Sequence, residues 1–191
     1  MLIVRAAERA FVRFGFHATT MQNVAEEAGM SAGNLYRYFP SKEAIVEELC
    51  VVDQAQRAEF FAAMIGRGDL LHAISASLRE HVLSRPPEKA RMIVEIWAEA
   101  ARNPRIAAIT RTMDEDVLAG LEHVMTAAKA TGVVAAALDT RFAARVVFTL
   151  VAGLFKRLAL EPAFDPVIEG AMAIGVLQAL FAAALAPAEG T

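Results

Sequence analysis

The side chains of this sequence best suited to chemistry stand close together, from Ser31 to Lys42. Ser31, Asn34, Tyr36, Arg37 and Tyr38 carry hydrogen-bonding groups spaced to share the outer face of one short helix, and Ala32 and Gly33 are small where that helix would approach another surface. Arginine can bond guanine edges and asparagine adenine edges, while hydroxyls and the free N–H groups of a helix start suit phosphates. The chemistry these residues point to is recognition of duplex DNA.

Other constellations carry less. Gly29, Met30, Ser31, Ala32 and Gly33 spell G-x-S-x-G, the nucleophile elbow of one hydrolase class, but that elbow needs a strand before its serine and a parallel sheet beneath. Val24 to Ala28 has helical spacing instead, so Ser31 reads as a helix cap. His72 and His81 fall on opposite faces of one helix, whereas two ligands of one metal need a spacing of about three or four; with His17 and His123 they read as ordinary histidines. The single cysteine, Cys50, excludes an intramolecular disulfide and a cysteine-cluster zinc site. Asp114, Glu115 and Asp116 read as a solvated face. Glu95 and Glu99, one turn apart beside Trp97, could anchor a cation, or form a solvent-facing stripe with Arg91 and Arg102 nearby. No catalytic residue, metal or cofactor is expected.

Positioning a short recognition face requires helices around it. Almost every window repeats near 3.6 residues and none alternates with period two, so the 191 residues, 56% of them apolar and 21% charged, read as all-α, about nine helices. A first helix with Val4, Ala7, Phe11 and Phe14 inward stops at Gly15. A second covers Met21 to Ala28, entered through Thr19 or Thr20. A third, Ala32 to Phe39, is capped by Ser31 and ended by Pro40. Ala25 is small where the two short helices cross, Gly29 permits a left-handed turn, and Val24, Leu35 and Phe39 supply the underside. This is a helix-turn-helix arrangement. Ser41 opens a long fourth helix toward the break at Gly66 to Asp69, and further helices are expected over Leu70 to Ser84, Glu88 to Asn103, Pro104 to Ala130, Asp139 to Leu160 and Pro166 to Ala186.

The run Phe14 to Glu43, FGFHATTMQNVAEEAGMSAGNLYRYFPSKE, resembles the DNA-binding region of the tetracycline-repressor (TetR) family of bacterial transcription regulators. The Thr-Thr entry, the Ala-Gly turn, the Gly-Asn-Leu-Tyr helix and the Tyr-Phe-Pro-Ser-Lys exit all fall at that family's spacing. The resemblance implies phosphate contacts from Thr20 and Lys42, backbone contacts from Tyr36 and Tyr38, and base-facing roles for Ala32, Gly33, Asn34 and, above all, Arg37. Many members carry a basic arm ahead of the first helix; here that arm is either absent or lies before Met1. Residues 1–50 hold Arg5, Arg9, Arg13, Arg37 and Lys42 against Glu8, Glu26, Glu27, Glu43, Glu47 and Glu48, so affinity should rest on few phosphate contacts, with a moderate salt dependence.

The expected division is a helix-turn-helix domain over 1–46 and an effector-binding and dimerisation domain over 47–191. Phe60, Phe61 and Met64, with Met92, Ile96 and Trp97, are the first candidates to line a cavity for a small apolar or amphipathic effector. Met113, Met125 and Phe148 complete that set. In the last helix Ala171, Gly175, Ala179 and Ala183 form one ridge of small residues, flanked by Leu177 and Phe181; Val147, Val151 and Leu154 occupy the helix before it. Two such helices pairing with their copies give a homodimer built as a four-helix bundle. The uncharged stretch Gly170 to Ala188 reads as a buried helix, not a membrane span. The function expected is a cytoplasmic repressor released from a palindromic operator on double-stranded DNA by its effector, against the alternatives of a small helical enzyme or a membrane-associated helical protein.

Overall fold

A computed structural model describes residues 2–65 and 70–182. In chain order the helices are α1 (Leu2–Phe14), α2 (Met21–Glu27), α3 (Ala32–Tyr38), α4 (Lys42–Ile65), α5 (Leu70–Ser77), α6 (Pro87–Ala100), α7 (Pro104–Ala130), α8 (Thr140–Leu160) and α9 (Pro166–Ala182). A π-helical turn, Leu78–Leu83, continues α5. Among the described residues there is no strand, and no helix is long and apolar enough to cross a membrane. The expected break at Gly66 to Asp69, Ala183 and the extension of the last helix to Ala186 lie outside the described residues.

Side-chain caps set the starts of α3, α8 and α9. Ser31 Oγ accepts from the Asn34 N–H at 3.2 Å, Asp139 Oδ1 from Phe142 at 3.0 Å, and Asp165 Oδ1 from Val167 at 2.8 Å and Ile168 at 3.2 Å. Prolines occupy first helical positions at Pro87, Pro104 and Pro166, where a missing N–H costs no hydrogen bond.

The helices sort into two compact units that do not follow chain order. One is formed by Met1–Ala55 with Pro86–Asp114, so α6 and the first half of α7 pack with the three short N-terminal helices. Its core holds Phe11, Val24, Ala25, Leu35, Ile45 and Ile106, all with no solvent exposure, and the rings of Phe11 and Phe16 meet edge-on at 5.1 Å. Val4, Ala7 and Phe11 point inward as their spacing requires. Phe14 does not: it is 42% exposed, with the Arg13 guanidinium 5.0 Å over its ring; it shares the stripe of Ala7, Ala10 and Phe11 but is the last residue of α1, where the left-handed Gly15 turns the chain away.

The other unit comprises Gln56–Arg85 and Glu115–Thr191. Its core gathers Met64, Val124, Met125, Leu138, Val147, Leu177 and Leu180, and a second cluster joins Leu78, Val82 and Leu83 to Leu154 and Ala173. Two glycines admit neighbouring side chains against bare backbone. A Cβ on Gly120 would stand 2.3 Å from the Phe61 ring, and one on Gly170 would stand 2.7 Å from Leu83 Cδ1.

Gly120→Ala therefore sets a helix-propensity gain of about 1 kcal/mol against overpacking of about 1 to 3 kcal/mol. Thermal unfolding should show Gly120→Ala to be destabilising alone and neutral or stabilising when combined with Phe61→Leu, a sign change that measures the contact directly.

Candidate nucleic-acid interface

In α3 only Leu35 is fully buried, so the helix is fastened by one side chain and two caps. The left-handed Gly29, with φ at 69°, turns the chain between α2 and α3, and the Met30 N–H returns to Ala25 O at 2.9 Å. At the other end the Phe39 N–H donates to Leu35 O at 2.9 Å and extended backbone leads into Pro40. Phe39 itself is partly buried against the core, completing the expected underside with Val24 and Leu35.

Opposite Leu35 the helix offers Gly33, Tyr36, Arg37 and Tyr38 to solvent, with Ala32 and Asn34 half-buried and Ser31 exposed at its start. Tyr36 and Tyr38 are 54% and 63% exposed, a heavy hydration cost for two aromatic side chains. Among the described residues the Asn34 carboxamide, the Arg37 guanidinium and both phenols bond to no other protein group. A Cβ on Gly33 would meet nothing within 4 Å, so this part of the face is open to close approach.

The entry to α2 is more constrained. Thr20 caps it in a capping box with Asn23, not Thr19 with Gln22: the Asn23 N–H donates to Thr20 Oγ1 at 3.2 Å, and the Thr20 N–H returns to Asn23 Oδ1 at 2.9 Å. The Thr20 hydroxyl donates to the same Oδ1 at 2.7 Å, so its one hydrogen is engaged within the cap. Thr19 is buried instead, its hydroxyl 2.6 Å from Gly15 O and 3.2 Å from Ala10 O.

Lys42 also has structural work. Its ammonium donates to Phe16 O at 2.8 Å and His17 O at 3.1 Å and sits 4.9 Å over the Phe16 ring, leaving one of three donors for a phosphate. Burial lowers its pKa, opposed by the charges of Glu43 and Glu99. From α6, Glu95 Oε2 accepts the Phe16 N–H at 2.5 Å. Glu99 bonds Arg102, which holds its carboxyl below the ordinary carboxylate range. The acidic residues of the first fifty are partly neutralised by Glu8 with Lys89, Glu27 with Arg9 and Glu47 with Arg105, each pair at 3.4 Å or closer. The roles of Thr19 and Glu95 have no local sequence signal; the Glu95 bond spans 79 residues.

The candidate effector residues divide between the units. Met64, Met125, Phe60, Phe61 and Phe148 share one cluster. Met92 and Ile96 belong to the core around Phe11, Met113 Sδ lies 3.9 Å from Cys50 Sγ, and Trp97 is half-buried on α6. The candidate interface residues divide as well. Ala171, Gly175 and Ala179 are exposed and Val151 is half-buried, whereas Val147, Leu154, Leu177 and Phe181 fill the subunit's own core.

This geometry has a match among known proteins. Residues 3–49 match the profile of "Bacterial regulatory proteins, tetR family", and residues 66–186 that of "BetI-type transcriptional repressor, C-terminal". The chain belongs to the tetR family. The HTH-type transcriptional regulator UidR of Escherichia coli K12 is 28% identical over 162 residues, 83% of this chain and 81% of that protein. Salmonella enterica GusR superposes with a TM-score of 0.79 at 29% identity, covering 95% of this chain and 94% of that one. FadR from Bacillus subtilis, solved in complex with stearoyl-CoA, shares the fold with a TM-score of 0.77 at 20% identity, over 94% and 98% of the two chains. The protein is thus a helix-turn-helix transcriptional regulator, with α2 and α3 as its helix-turn-helix.

Thr19→Val keeps the shape of a buried side chain and removes its hydrogen-bond donor. Chemical denaturation should show a loss of about 1 to 2 kcal/mol with an unchanged dependence on denaturant; a midpoint equal to wild type would deny the hydroxyl its structural role.

Proposed function

We propose that this regulator is a repressor acting as a homodimer on a palindromic operator, and that a small apolar or amphipathic effector releases it. The carrying observation is the outer face of α3, where Asn34, Tyr36, Arg37 and Tyr38 hold hydrogen-bonding groups that no other part of the described chain uses. Arg37 reads a base edge from this face; Ala32 and Gly33 let it approach the groove floor. Tyr36, Tyr38, Ser31 and the remaining donor of Lys42 meet phosphates, and Thr20 joins them by exchanging its hydroxyl bond to Asn23 for one to the DNA backbone. The protein acts in the cytoplasm, with the DNA it reads.

Dimerisation is supported by α9. Val167, Ile168, Met172 and Val176 are 78%, 65%, 49% and 44% exposed, and Ala171, Gly175 and Ala179 stand among them as small residues over which another helix can close. So many apolar side chains on one exposed helix call for a partner, and a second copy supplies an equal and self-complementary face. Dimer symmetry then sets two α3 helices about 34 to 36 Å apart, one turn of DNA.

The effector site is proposed within the cluster of Phe60, Phe61, Met64, Met125 and Phe148, an apolar lining of the kind small ligands use. The stearoyl-CoA bound by FadR is a ligand of similar amphipathic character on the same fold. The BetI-type profile supports repression as the output. Because α4 carries Lys42 at its start and Phe60 and Met64 near its end, an effector that shifts α4 changes the spacing of the recognition helices. Coupling of this kind is typically worth about 1 to 3 kcal/mol.

Arg37→Ala should weaken operator binding by about 1 to 3 kcal/mol and relax preference at one base pair in each half-site, leaving the salt slope unchanged; unaltered base preference would remove Arg37 from the reading face. Gly175→Glu introduces no clash within the subunit, since a Cβ there meets nothing within 4 Å. Sedimentation should show a monomer where the wild type is a dimer, and a dimeric variant would place the interface elsewhere.

A further inference from the structure

The connector between α1 and α2 is gripped from two sides by helices far away in sequence. Gly15 ends α1 with φ at 80°, and the peptide that follows turns its N–H toward α6, where Glu95 Oε2 accepts it at 2.5 Å. The carboxylate lies flat against the glycine, and a Cβ on Gly15 would stand 3.0 Å from the same oxygen. On the other side the Phe16 and His17 carbonyls both accept from Lys42 at the start of α4. Thr20, the cap of α2, is three residues beyond His17, so the placement of Phe16 and His17 sets where α2 begins.

We propose that Glu95 is a positioning residue for DNA binding: its carboxylate, carried on α6, holds the α1–α2 connector and through it the register of α2 and α3 against the duplex. A charge-assisted bond from a peptide N–H to a carboxylate is short, directional and about twice as strong as a neutral one, so α6 cannot move beyond its reach without releasing the connector. Binding constellations lose function when displaced by about 0.5 Å, and the two grips hold the connector from opposite sides. Thr19, whose hydroxyl ties the connector's far end to Gly15 O and Ala10 O, makes the segment move as one piece. The ion pair of Glu99 with Arg102, one turn further along α6, lies 3.8 Å from His17 and keeps a second carboxylate beside the same connector. The inference rests on the DNA-reading role of α3 and adds α6 to the elements that determine it.

The test compares Glu95→Ala with Glu95→Gln in the full-length protein. The probes are a duplex that the wild-type protein selects from a random pool and an unselected duplex of equal length. The glutamine retains an oxygen that can accept the Phe16 N–H, whereas the alanine does not. Glu95→Ala should lose at least tenfold in affinity for the selected duplex and less than twofold for the unselected one, with faster hydrogen exchange at the Phe16 amide well below the unfolding temperature. Glu95→Gln should stay within threefold of wild type on every measure. Affinity of Glu95→Ala within twofold of wild type, or a glutamine variant as weak as the alanine one, overturns the proposal. Should Glu95→Ala not fold, Glu95→Asp keeps the charge and withdraws the oxygens by one methylene; the same tenfold loss is expected, and wild-type affinity overturns the proposal. A wild-type protein that selects no duplex defeats the DNA reading itself and this inference with it, a result distinct from a failure confined to the variants.

Discussion

A helix of seven residues cannot hold itself together in water, because nucleating it fixes more backbone than its few hydrogen bonds repay. α3 therefore exists only through what fastens it: Leu35 sunk among Phe11, Val24 and Ile45, the Ser31 cap at one end, and the extended exit at Phe39 and Pro40 at the other. That constraint shapes its unit. Because Leu35 alone is fully buried, with Ala32 partly packed beside it, most of the helix surface is available for recognition, and neighbouring helices must supply the rigidity α3 lacks. The left-handed Gly29, the small Ala25 and the connector held by Lys42 and Glu95 are parts of that supply.

Local features were the legible ones. Ser31 announces a helix start because a capping side chain bonds within three residues of itself, and the structure places it as expected; Asp139 and Asp165 cap α8 and α9 by the same short-range bonds. The choice between Thr19 and Thr20 was not legible, since either spacing satisfies a cap; burial of Thr19 against Gly15 O and Ala10 O decides it. Periodicity shows which side of a helix is apolar, not what covers it. On α9, apolar nearly all round, Leu177 and Phe181 are indistinguishable in sequence from Ile168 and Met172, yet the first two fill the subunit core and the second two face outward. Nothing local marks α6 as a neighbour of α1, so the second role of Lys42 and the part played by Glu95 emerge only when residues 79 apart are brought together.

Charge follows the same logic. The first fifty residues have no basic surplus, and several of their carboxylates are answered within the unit, Glu47 by Arg105 and Glu8 by Lys89. Such exposed pairs add little stability, but they lower the repulsion a phosphate backbone would meet. With few cations to spend, the proposed dimer would draw its affinity from shape and from two recognition helices acting together, which ties the exposed stripe on α9 to recognition at α3.

The most direct measurement of this account is selection of duplexes from a random pool by the purified protein, followed by sequencing of those retained. The account predicts enrichment of an inverted repeat whose half-sites are centred about 10 base pairs apart, the signature of two symmetry-related recognition helices. Recovery of no common sequence, or of a single asymmetric site bound by one subunit, would contradict it.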